Sequence, residues 1–208
     1  MTDMVIKAPF LPYDRIACET EAFLAQYHPS RTIPVPVEDI IEKQLNIDIY
    51  PVRGLTRAFT ANDDGVVAYV NSLLNLITVD HDAWEDHTTR YRFSITHELA
   101  HIILHRTIFS QLKVNSIAEW KLAMQSIPTD QYRWLETHAN NFAGLLLVPT
   151  VELREQLNNY TTEALANGLR LDDESVRSYA GQYLSPIFGA SGEVVRIRIE
   201  KENLWPTP

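Results

Sequence analysis

The chain has 208 residues, 45% of them apolar and 22% charged, which excludes an intrinsically disordered or fibrous protein. Eighteen lysines and arginines face 27 acidic side chains, a formal charge of −9 with no basic run, so direct binding to nucleic acid is disfavoured. No stretch nears the ~18 consecutive apolar residues of a membrane span, and a single cysteine, Cys18, excludes an intrachain disulfide and cysteine-based metal sites.

The first dozen residues have neither an apolar core nor a cleavage pattern, so no signal peptide is expected, and a reducing cytoplasm is the expected location. In chain order, Tyr13 to Tyr27 sets Ile16, Phe23, Leu24 and Tyr27 at helical intervals and predicts an amphipathic helix. Prolines 29, 34 and 36 interrupt it. Pro36 suits the first turn of a second helix burying Val37, Ile40, Ile41 and Leu45. Ile47, Ile49 and Tyr50 suggest a short strand. Ala58 to Thr60 and Val66 to Val70 flank Asn62-Asp63-Asp64-Gly65, which predicts a hairpin. Ile77 to Val79 predicts another strand. The remainder reads as helices near 88–107, 116–126, 130–147, 151–158, 162–167 and 172–186. Ser191 to Leu204 fits two readings: Val195, Ile197 and Ile199 alternate like a strand, whereas Ser191 could cap a helix. The expected architecture is α+β, one domain over 1–208, with a small N-terminal β-sheet and a helical C-terminal half.

The chemistry concentrates in His97-Glu98-Leu99-Ala100-His101, an HExxH pattern inside an apolar helix. Residues four apart share a helix face, so His97 and His101 can turn ring nitrogens to one ion, which the pattern identifies as zinc. Glu98 follows about 100° around the helix and can reach a water without being a ligand. A catalytic zinc usually takes three protein ligands. His105 extends the same face, but three such histidines span ~12 Å of helix, too far for one ion; His105 therefore reads as a neighbour of the site or a packed helix residue. Glu136 is the better candidate for third ligand, with Asn140 one turn later able to orient a ligating histidine. On spacing alone a solvated Glu136 beside a polar Asn140 stands equally open. His138, about 200° from Glu136 around the helix, reads as a surface or core-edge residue. Trp120, Trp134 and Trp205 read as packing residues.

Residues 92–105 followed by 136–149 resemble the ImmA/IrrE family of zinc metallopeptidases. In its register the second segment shows Glu136, Ala139, Asn140, Phe142, Ala143, Leu145 or Leu146, and Pro149. More weakly, 15–50 resembles the leading elements of that family. Ile187 to Ser191 through Arg196 to Arg198 resembles its closing element, which favours helix there. The resemblance implies a zincin-like metallopeptidase core, with His97, His101 and Glu136 as zinc ligands and Glu98 as catalytic carboxylate. Two departures are Ala100, where glycine is common, and His138, where an acidic residue is often found.

The expected activity is zinc-dependent peptide hydrolysis. The resemblance implies a helix-turn-helix transcriptional repressor, held in a separate protein, as the substrate; an acidic chain suits such a basic partner. The competing expectations are a broad-specificity zinc peptidase and a zinc-containing binding protein that sequesters a regulator or toxin without cutting it.

Overall fold

A computed structural model describes residues 6–58, 67–86 and 88–206. It is an α+β fold in which helices dominate and a three-stranded sheet covers one side of the site. Helix α1 (Tyr13–Tyr27) buries Ile16, Phe23 and Leu24, the stripe read from the sequence. Helix α2 (Val37–Asp39) starts after Pro36 and passes into a π-helical turn, Ile40–Gln44. That widened turn still buries Val37, Ile40 and Ile41 while leaving Leu45 only partly covered.

Strands β1 (Asp48–Val52), β2 (Ala68–Val70) and β3 (Leu76–Asp80) form one sheet in the order β1-β3-β2. Strand β1 runs parallel to β3, and β2 antiparallel. The expected hairpin across Asn62 to Gly65 lies outside the described residues. Its first arm is not a strand at Ala58, which ends the short helix α3 (Leu55–Ala58). The hairpin that is present joins β2 to β3, and the Asn71 side-chain oxygen closes its turn by accepting from the backbone N–H of Asn75 and Leu76 at 3.1 and 3.2 Å. Strand β3 runs directly into α4 (His81–Asp86), an element not foreseen from the sequence. Asp80 makes the junction: one carboxylate oxygen accepts from the N–H of Asp82 at 2.9 Å and the other from that of Thr56 at 2.6 Å. An aspartate ahead of a helix is a capping signal.

Helix α5 (Thr88–Leu104) is shorter than expected, because the chain bends at His105 before α6 (Arg106–Phe109). Arg92 anchors its start, donating to the carbonyls of Gly189 and Val35 at 3.0 and 2.7 Å and to Glu38 at 3.0 Å. Helix α7 (Ile117–Ser126) is capped by Ser116 and buries none of its residues. Helix α8 (Thr129–Leu147) lies on α5 in the most extensive contact between any two elements described. Ala100, Ala139 and Ala143 are fully buried there, and such small side chains let helix backbones come close.

Helix α9 (Thr150–Ala166) is continuous where two pieces were expected. Leu153, Leu157, Tyr160 and Ala164 form one buried stripe, and burying it overrides the weak helix preference of the intervening Asn and Thr residues. Helix α10 (Glu174–Phe188) ends at Gly189, whose φ of +59° is the left-handed conformation a helix C-terminus favours. The ambiguous last segment is a helix, α11 (Gly192–Lys201), with Ser191 accepting from the N–H of Val194 at 3.3 Å. Val195 and Ile199, four apart, are buried while Ile197 is exposed; that is helical periodicity, and the apparent alternation was coincidental. At Gly181 a Cβ would stand 2.5 Å from the Gly192 carbonyl oxygen, so only glycine permits the close approach of α10 and α11.

Candidate metal centre

Helix α5 buries Ile95, Leu99 and Ile102 against the core, and its periodicity turns His97 and His101 together toward α8. On α8, Leu135, Ala139, Phe142 and Leu146 are fully buried, which leaves Thr129, Tyr132, Glu136 and Asn140 lining the cavity beside α5. The structure brings His97, His101 and Glu136 to one point. The two Nε2 atoms are 3.1 Å apart; Glu136 places Oε2 3.2 Å from His97 and Oε1 3.5 Å from His101. These three are the one His/Cys/Asp/Glu group with convergent donor atoms among the described residues. Donors at the corners of a tetrahedron with ~2.0 Å bonds stand about 3.3 Å apart, so this nitrogen–nitrogen–oxygen set fits a zinc-sized ion.

The neighbours separate by role. Asn140 Oδ1 lies 3.0 Å from His97 Nδ1, able to accept the proton of a ring whose Nε2 faces the donor cluster. His105 is placed beside the cluster and outside it, its Nδ1 3.0 Å from His101 Nδ1. His138 departs from the sequence reading. It points away from Glu136, yet it is buried, and its Nδ1 lies 3.3 Å from His105 Nε2. The signal was available: His138 is three residues after Leu135 and four before Phe142, on the buried stripe of α8. Phe109, for which the sequence carried no signal, stacks on the His101 ring with centroids 4.4 Å apart. Of the three tryptophans read as packing residues, Trp120 and Trp205 are partly buried against the core, Trp120 also lining the cavity and Trp205 donating its indole N–H to the Leu171 carbonyl at 3.1 Å, whereas Trp134 is exposed.

Glu98 lies on the same cavity and is buried. Hydrogen bonds of the β2–β3 pair run through Val67–Asp80 and Asn71–Leu76, so residues between them at alternate positions turn their backbone groups away from β3. Val70 is one of these, and its backbone bonds to Glu98. Burial, reinforced by the charge of Glu136 and opposed by His97, pushes the Glu98 carboxyl up to about 8. Glu136 is the opposite case: burial would raise it, but hydrogen bonds from His101 and His97 hold it far below the usual carboxylate range. Burial works against a charged His97, yet the bond to Glu136 and its charge prevail and raise it to about 8. Burial keeps His101 below its ordinary value and, together with the two adjacent histidines, takes His105 down to about 2. The cavity encloses about 740 Å³, with Ala68, Phe93, Phe109, Trp120, Met124 and Tyr132 among its walls.

Two histidines one turn apart and a carboxylate from a second helix form a group able to hold a metal ion, with a second buried carboxyl beside it, the donor set of a metal-dependent hydrolase. The family model for the IrrE N-terminal-like domain, a peptidase family, matches residues 82–200, and the chain belongs to that family. Membership places it among the metallopeptidases, and the matched region contains every residue of the cluster. No curated protein matches the chain. None of the helices described is long and apolar enough to cross a membrane.

Proposed function

We propose that the chain is a cytoplasmic zinc endopeptidase that cleaves a helix-turn-helix transcriptional repressor, carried by a separate protein, and so relieves repression of its target genes. The observation that carries the catalytic part is the convergence of His97, His101 and Glu136 at 3.1 to 3.5 Å beside the buried carboxyl of Glu98. In this reading His97 and His101 would hold the ion through Nε2, and Glu136 through its carboxylate. Zinc, when bound, polarises the scissile carbonyl and makes water acidic enough to react near neutrality. Glu98 would take the proton of the attacking water and pass it to the leaving amine, the work of a carboxylate positioned beside the ion. Asn140 orients His97, and the Phe109 ring covers one face of His101.

The choice of a repressor rests on family membership and on charge: an acidic chain of net −9 suits a basic DNA-binding partner. Zinc and Glu98 act on any peptide bond, so selectivity must come from surfaces around the cavity. The test incubates zinc-loaded protein with the cognate repressor and, separately, with casein, and follows both by mass spectrometry. A single cut in the repressor, stopped by EDTA and restored by zinc, with casein left mostly intact, is the expected result. Rapid digestion of casein would replace this reading with a broad peptidase; stable zinc-dependent binding without a cut would replace it with sequestration.

A further inference from the structure

The donor cluster does not end at His101. Its Nε2 faces Glu136 and His97, at 3.5 and 3.1 Å, so Nε2 is the nitrogen available to an ion, and with an ion held there the ring hydrogen sits on Nδ1. Nδ1 has a single hydrogen-bond partner among the described residues, the Nδ1 of His105 at 3.0 Å. His105 must then present a lone pair at Nδ1 and carry its own hydrogen on Nε2. That Nε2 is 3.3 Å from His138 Nδ1, which must accept in turn. All three rings are buried, and Phe109 stacks on two of them, His101 and His105.

We propose that His105 and His138 are positioning residues that support His101 in its ligating tautomer, with His138 the terminal acceptor of the chain of rings although it never touches the metal. The inference rests on the zinc-site reading given above. Its physical core is a difference between acceptors. A ligating histidine usually donates to a carboxylate or a carbonyl, groups that can only accept; His97 has such a partner in the Asn140 oxygen. An imidazole can present either a lone pair or an N–H, so His105 alone does not decide which way it meets His101. With its hydrogen on Nδ1, His105 would set two N–H groups face to face at 3.0 Å and disfavour the metal-binding form of His101. A lone pair on His138 Nδ1 draws the His105 hydrogen to Nε2 and removes that conflict. The position is therefore sensitive to whether the side chain can accept a hydrogen bond, beyond the space it fills.

The experiment uses full-length protein with ¹⁵N-labelled histidine, loaded with zinc, and reads ring tautomers from long-range ¹H–¹⁵N spectra. His105 is expected to carry its hydrogen on Nε2 and a bare Nδ1, with His138 also bare at Nδ1. A zinc-loaded protein with His105 protonated on Nδ1 overturns the proposal, and that measurement needs no variant. In parallel, zinc affinity is measured against a chromophoric chelator. Direct outer partners of a metal ligand typically change affinity by 10- to 100-fold, so His138→Leu, one ring further out, is expected to weaken zinc about three- to tenfold. His138→Asn, whose side-chain oxygen can accept near the position of Nδ1, is expected to recover affinity to within about twofold of the original. Unchanged affinity in His138→Leu, or equal losses in both variants, overturns the proposal in favour of simple packing. Failure of the unaltered protein to bind zinc at all refutes the metallopeptidase reading and the relay with it; normal zinc binding with a reversed His105 refutes the relay alone.

Discussion

Glu98 and Glu136 are carboxyl groups sharing one cavity, and their surroundings drive them apart. Two histidine nitrogens hold Glu136 ionised, whereas burial and the neighbouring charge of Glu136 push Glu98 up to about 8. Environments that separate two like groups in this way suit the proposed roles, Glu136 as ligand and Glu98 as proton carrier. Glu98→Gln is nearly isosteric and is expected to keep stoichiometric zinc while turnover drops ~10²- to 10⁴-fold. His97→Ala is expected to lose zinc and activity together; the paired measurement is metal content by mass spectrometry against cleavage rate. Undiminished turnover in Glu98→Gln would remove it from the chemistry. At this scale the sequence was most legible where one helix face carries the information, at His97, Glu98 and His101. Glu136 could be nominated but not placed, because its position depends on how α8 packs on α5. The angle of His138 to Glu136 alone suggests a surface position, whereas its place on the Leu135–Phe142 stripe buries it. Phe109 arrives through the bend at His105, which the uninterrupted apolar pattern of 88–107 concealed.

The elements C-terminal to the site act as a clamp on the end of α8. Arg198 of α11 is buried; it donates to the Val148 carbonyl at 3.2 Å, to Thr150 Oγ1 at 2.7 Å and to Glu202 at 2.6 Å, and it also meets the Tyr13 hydroxyl. Val148 is the residue that terminates α8, so the guanidinium satisfies a carbonyl at the negative end of the helix that carries Glu136. Burial would raise the Glu202 carboxyl, but the bonds from Arg198 and Tyr13 win and hold it below its ordinary 4.5. A depressed folded-state value stabilises the protein above the unfolded value and loses that contribution as pH falls through the folded one. Unfolding free energy is thus expected to fall with acid below about pH 4.5, and Glu202→Gln to flatten that fall while lowering stability near pH 7. Chemical denaturation across pH checks both, and an unchanged acid slope would show that Glu202 does not contribute. Helix α11 also shows where element-level reading fails. Val195, Ile197 and Ile199 satisfy a period of two, but the Ser191 cap and the Gly181–Gly192 contact depend on α10 being in place. Strand order likewise requires long-range pairing: β1 and β3 lie side by side with β2 between them in sequence but not in space.

At the scale of the molecule, the proposed zinc site joins α5 to α8, whose donors are 35 positions apart in the chain (101 to 136). A ligand held only by the folded state adds about 2.7 kcal/mol of stability at a hundredfold excess over its dissociation constant. The melting temperature is therefore expected to rise with zinc and return with EDTA, equally in Glu98→Gln and not at all in His97→Ala, as read by thermal denaturation. A zinc-independent melting temperature in the unaltered protein would contradict the site. The walls of the cavity are anchored very unequally. Helices α5 and α8 belong to the core, whereas α7 contributes Trp120, Lys121, Met124 and Gln125 to the cavity and buries none of its residues. An element that packs Ile117, Trp120, Ala123 and Met124 only partly buried against the core is expected to open locally at lower free energy than α5 and α8. Backbone amides of 117–126 are expected to trade hydrogen for deuterium far sooner than those of the central turns of α5 and α8. A peptide lodged in the cavity would retard that exchange selectively, so occupancy of the cleft can be followed along this one helix without waiting for any bond to break.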